Sequence, residues 1–111
     1  MQLEVVEEPN SITRVVLDGR LDSPGVDAIE TRFNAALTHG GHGLVDMSGV
    51  SFLSSMGVRM LISAAKAVGR RGHKLVLVAP QELVAEALQH SSIDELIPVA
   101  PDLDAGRALL G

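Results

Sequence analysis

The sequence predicts an α/β domain, a mixed sheet of four to five strands with interleaved helices. Three observations predict it. Short runs rich in Val, Leu and Ile alternate with longer stretches whose apolar residues recur at i, i+3, i+4 and i+7, and Gly or Pro punctuates most of the changes. Two strand-like runs stand together at the N-terminus, whereas the later ones are separated by helical stretches long enough for parallel crossovers. With 111 residues there is room for one hydrophobic core and not for two, so residues 1–111 read as a single domain.

Leu3 to Glu7 gives the first strand, and Pro9-Asn10 supplies turn chemistry before the second, Ser11 to Leu17, which closes an antiparallel hairpin. Asp18 to Pro24 leads into a helix with Asp22 or Ser23 as its N-cap and Pro24 near the first helical position. Val26, Ile29, Phe33, Ala36 and Leu37 form its buried stripe, and Gly40-Gly41 ends it. The third strand is Gly43 to Met47. A second helix follows the Ser54-Ser55 pair, with Val58, Leu61, Ile62 and Ala65 on one face, and runs to about Val68 before Gly69-Arg70-Arg71-Gly72 stops it. Arg70 and Arg71 suit a helix C-terminus, where cations offset the dipole.

Lys74 to Ala79 is a nearly continuous apolar strand of the kind covered on both faces. Pro80 opens a third helix through about His90, with Leu83, Val84, Ala87 and Leu88 facing inward. Ser91-Ser92-Ile93 is a loop, Leu96 to Val99 fits a short edge strand, and Asp102 caps a last helix that carries Leu103, Leu109 and Leu110 and is weakened by Gly106.

Composition excludes several functions. Nine Lys and Arg against fourteen Asp and Glu leave a formal charge of −5, which opposes binding to a nucleic-acid backbone. Phe33 and Phe52 are the only aromatics, with no Tyr or Trp to stack on bases. The chain has no Cys and so neither disulfides nor thiolate metal sites. No apolar run approaches the roughly 18 residues of a membrane span, and MQLEVVEE lacks the basic-then-apolar pattern of a signal peptide. Direct membrane insertion is therefore not expected, and a cytoplasmic protein is.

Catalytic signatures are missing as well. There is no G-x-x-x-x-G-K-[ST], Gly40-Gly41-His42-Gly43 precedes a strand rather than opening a helix, and G-x-S-x-G is absent. His39, His42, His73 and His90 are scattered, with no i, i+4 pair for a metal. The chain reads as a binding protein without catalytic residues, cofactor or metal.

What remains is the junction Phe52-Leu53-Ser54-Ser55-Met56-Gly57. Either Ser can cap the helix, yet no capping box follows: Gly57 stands three positions after Ser54 and Val58 three after Ser55. One hydroxyl suffices to cap. The other is left at a helix N-terminus without a carboxylate, where a phosphate would add about −1.5 to −2 charges and be tolerated by the orphan N–H groups. Gly57 costs helix stability there while allowing close approach to the backbone. Asp46 at the end of the third strand could ligate a cation or position a phosphate, although bonding to the N–H groups of the following turn is the commoner role of such a residue. Asp22 has the same two readings, with helix capping as the simpler.

Asp46 to Val58, DMSGVSFLSSMGV, resembles the signature D-[LM]-S-x-[VL]-x-[FY]-[ILM]-[DS]-S-x-G-[LMV] of the STAS domain family, the bacterial anti-sigma factor antagonists. Leu17 to Asp22 is similar to the family's L-x-G-x-L-D, and Ile93 to Val99 to its C-terminal segment. The resemblance implies a STAS-like fold and a phosphorylation-controlled binding module that sequesters a serine-kinase anti-sigma factor in a bacterial partner switch, with a serine phosphatase reversing the modification. Carried onto this chain, the phosphorylated residue is Ser55, with Ser54 as rival acceptor because many members have Asp there. Asp22, Asp46, Ser54, Met56 and Gly57 would surround the site or meet the partner. A second role that the resemblance allows is a STAS regulatory subunit of a membrane transporter or lipid-transport ATPase, in which the Ser is only a cap.

Overall fold

A computed structural model describes all residues, 1–111. The strands are β1 (Gln2–Glu8), β2 (Ile12–Leu21), β3 (His42–Leu53), β4 (Leu75–Val78) and β5 (Val99–Ala100). The helices are α1 (Ser23–Thr38), α2 (Ser55–Arg70), α3 (Glu82–His90) and α4 (Leu103–Leu110), with a 3₁₀ turn at Ile93–Glu95. The five strands lie in chain order, β1 antiparallel to β2 and the others parallel.

Parallel neighbours need crossovers, and crossovers share one hand. Because β2 to β5 advance in one direction, α1, α2 and α3 fall on the same face, and their apolar stripes join Val15, Leu17, Val45, Met47, Leu75 and Leu77 in the main core. On the opposite face α4 lays Leu110 over Leu44, Val76 and Val78. Alternate residues of β4 thus enter different cores, which is why Leu75 to Val78 can be apolar throughout. Gly106 makes room for α4: a Cβ there would stand 2.5 Å from Val78 Cγ1.

The hairpin turns through Asn10 and Ser11, both left-handed (φ 65° and 59°), and Asn tolerates that region well. Two strands run further than their sequence patterns. The second continues beyond Leu17 to Leu21, past Gly19 at φ 119°, and the third continues beyond Met47 to Leu53. Each supplies the other's partner, Asp18 opposite Gly49 and Leu21 opposite Leu53, with register shifts at Val16/Asp18 and Gly19/Arg20. Ser48-Gly49 reads as a turn in isolation, and only pairing holds it extended.

Other bounds move less. Thr38 ends α1 ahead of the glycine pair, and α2 reaches Arg70. Gln81 caps α3 without a side-chain bond, two residues later than Pro80 suggests, and Leu83 turns outward, 73% exposed, while Val84 and Leu88 face the core. Ile93, assigned to a loop, is fully buried in the 3₁₀ turn. The edge strand forms at Val99–Ala100, and Leu96 is exposed.

Candidate functional site

The extended pair β2–β3 ends where α1 and α2 begin, so two helix N-termini sit side by side. Ser54 caps α2: its Oγ accepts the Gly57 N–H at 3.3 Å and donates to Leu21 O at 3.0 Å, while its own N–H bonds the same carbonyl. It therefore starts the helix and ties it to the end of β2. Ser55 is the first helical residue, exposed, with no hydrogen bond from its hydroxyl. Of the two candidate caps one is used and the other is free.

Gly57, which the resemblance sets around the phosphorylation site or against the partner, is buried. A Cβ there would meet Leu21 O and Leu53 Cδ1 at 2.8 Å each. The missing side chain lets α2 close against the strand ends, so its close approach is to the core rather than to an external group. Met56 is 40% exposed and Phe52 41%, two apolar groups flanking the serines in the chain. The Arg20 guanidinium lies 4.4 Å from the Phe52 ring centroid and also pairs with Asp22 at 3.2 Å.

Asp22 caps α1 through a 3.0 Å bond from Gly25 N–H to Oδ1. That N–H and then Arg20 hold its carboxyl below the usual carboxylate range. Its capping role is filled, and its charge is shared with Arg20. Asp46 is not beside it. The third strand's extra length leaves Asp46 in mid-strand opposite Val16, five β2 residues or roughly 16 Å of strand from the Leu21–Leu53 pair. Its Oδ1 accepts the Ser48 N–H at 3.0 Å, the local bond that short acidic side chains favour.

A groove of about 340 Å³ runs from the start of α2 to the end of α3, with Ser54, Ser55 and Val58 on one wall and Ala87, His90 and Ser91 on the other. A larger hollow of about 750 Å³ lies at the opposite end of the sheet, beside Glu8, Ile12, His42 and Arg107. Its volume offers little free chemistry, because Arg107 already bonds Glu8 at 2.8 and 3.0 Å and Asp104 at 3.0 Å. His42 Nδ1 accepts the Lys74 N–H at 3.0 Å, and burial, with His73 and Lys74 beside it, pushes that imidazole below its ordinary pKa. No three His, Asp or Glu side chains converge on a common point as metal ligands would. Neither His42 nor the Arg107 cluster stands out in the sequence, since their partners are up to 99 residues away.

A family model described as STAS domain matches residues 4–106. No curated protein sequence matches. Among solved structures, an anti-sigma factor antagonist from Mycobacterium paratuberculosis superposes with a TM-score of 0.88 at 22% identity, covering 98% of this chain and 92% of that one. An anti-sigma-factor antagonist (STAS) domain protein from Planctomyces limnophilus gives 0.86 at 22%, covering 97% of each. The Bacillus cell fate determinant SpoIIAA in its phosphorylated form gives 0.72 at 16%, covering 97% of this chain and 99% of that one. At these identities the likeness is one of fold. The four helices, none long and apolar enough to cross a membrane, surround the sheet that these structures share.

Proposed function

The chain belongs to the STAS domain family, and on that footing we propose that it is an anti-sigma factor antagonist whose binding is switched by phosphorylation of Ser55. The observation that carries this reading is the division of labour at the start of α2. Ser54 spends its hydroxyl on the cap and on Leu21 O, which leaves Ser55 exposed and unbonded at a helix N-terminus with no acidic residue in the first turn. A phosphate there adds about −1.5 to −2 charges beside unpaired N–H groups without disturbing the cap. The fold shared with phosphorylated SpoIIAA is in keeping with it.

The protein itself acts by binding, and the chemistry belongs to its partners. Unphosphorylated, it presents exposed Ser55, flanked in the chain by the exposed apolar groups Phe52 and Met56, to a serine-kinase anti-sigma factor and sequesters it. Phosphorylated, it places a dianion on that surface, and desolvating such a charge against a partner is costly enough to release it. A serine phosphatase restores the binding form. The working compartment is the cytoplasm, where sigma factors act.

Incubation with the cognate kinase and ATP, followed by mass spectrometry, is expected to place one phosphate on Ser55. Ser55→Ala should keep kinase binding and block modification, and Ser55→Glu should lose binding. Phosphate on neither serine, together with equal binding by wild type, Ala and Glu forms, would overturn the switch and leave a permanent binding subunit.

A further inference from the structure

α2 differs electrostatically from the rest of the chain. In a protein of net charge −5 its sixteen residues carry Arg59, Lys66 and Arg70 and no carboxylate. Arg59 is exposed and has no hydrogen-bond or ion-pair partner, unlike Arg14, Arg20, Arg71 and Arg107, which are all engaged. It stands four residues after Ser55, the spacing at which helical side chains are neighbours, and helical side chains lean back over the preceding turn. Across the groove stands His90, exposed at the end of α3. The groove itself contains no carboxylate. Asp22 at the adjoining helix start is already paired with Arg20, and Glu86 stands one turn before His90 on α3.

We propose that Arg59 and His90 hold the phosphoryl group of Ser55 in the groove between α2 and α3, Arg59 as a fork from the same helix and His90 as the opposing donor. The inference rests on the phospho-switch reading and deepens it. Guanidinium presents paired N–H groups that match two phosphate oxygens, and the imidazole ring adds a single N–H donor. Capture of Arg59 also engages a cation otherwise without a partner on the first turns of α2, so the modified surface both gains a dianion and loses a free positive group. No rearrangement of the cap is needed, because Ser54 keeps its bonds.

The test uses the full chain with phosphoserine installed at position 55 by genetic encoding, so that its result does not depend on any kinase acting there. Phosphorus NMR reads the second ionisation of the phosphate, which lies near 6 without partners. A unit positive charge about 4 Å away in water, the separation of a bidentate pair, lowers that midpoint by roughly 0.8 pH. The phosphoprotein is expected to titrate below a phosphoserine peptide of the same local sequence, R59Q to bring the midpoint back by roughly 0.8 pH, and H90Q to raise it further in the double variant. His90 ring protons should shift on phosphorylation in the wild type and less in R59Q, with circular dichroism verifying the fold of each. A titration indistinguishable from the peptide's, or one unmoved by both substitutions, overturns the proposal. Failure of a kinase to modify Ser55 would instead sink the switch reading and leave this geometry standing.

Discussion

The Ser54 hydroxyl takes the Gly57 N–H and gives its own proton to Leu21 O, a combination that distinguishes it from the Asp that the signature also allows at this position. An ionised Asp at this position could accept the Gly57 bond but could not donate to Leu21 O, so the serine exchanges a first-turn charge for a tether to β2. Losing a cap costs about 0.5 to 2 kcal/mol. Ser54→Ala should therefore destabilise the fold by about 1 to 2 kcal/mol in urea titration, whereas Ser55→Ala, which breaks no bond, should stay within about 0.5 kcal/mol of wild type. Equal losses for the two would contradict the assignment of cap and free hydroxyl. Gly57 belongs to the same arrangement: its hydrogen is what fits between Leu21 O and Leu53.

Between elements, the contact least expected from sequence is Arg71. Cations at 70 and 71 suit the end of their own helix, yet the Arg71 guanidinium reaches the end of α1 instead, bonding Leu37 O, Thr38 O at 2.6 Å and Gly40 O at 2.7 Å. The last carbonyls of a helix lack intrahelical partners, and one fork satisfies two of them, with the Gly40 carbonyl just beyond, while fastening α2 to α1. Charge-assisted bonds are worth about 1.5 to 3 kcal/mol when protected and less when exposed, so Arg71→Ala should cost about 1 to 2 kcal/mol in thermal or urea unfolding. Arg71→Lys, with a single point charge in place of the fork, should recover only part of it. Full stability in Arg71→Ala would show that water serves these carbonyls equally well.

At the scale of the molecule, Glu8 closes the chain on itself. At the end of β1 its side chain, 9% exposed, meets Arg14 from β2 at 2.8 Å and Arg107 from α4 at 2.8 Å. The Arg107 hydrogen bond foremost, outweighing burial and helped by Arg14, holds the Glu8 carboxyl below its ordinary 4.5. A depressed carboxylate means that the unfolded chain binds the proton more readily, so stability rises with pH across the interval between the two values. The contribution is complete above about 4.5 and is lost as pH falls through the folded-state value. Denaturation midpoints from pH 3 to 7 should show this acid limb in the wild type, and Glu8→Gln should flatten it while lowering stability near neutrality. An unchanged limb would assign acid sensitivity to other carboxylates.

Sequence by itself determined what depends on near neighbours along the chain. Period and punctuation set the order of strands and helices, Asp102 the cap of the last helix, Asp22 or Ser23 that of the first, and the run Asp46 to Val58 the family, because each arises from residues a few positions apart. The tertiary structure alone decided what depends on pairing across the fold. Extension of β2 and β3 by mutual partnership carried the serine pair away from Asp46, and the Leu21 carbonyl selected Ser54 over Ser55 as the cap. Packing against that same carbonyl turned Gly57 inward. A residue 33 positions away made the choice that spacing left open, since a hydroxyl between two equivalent local roles takes the one where a distant acceptor completes its second bond.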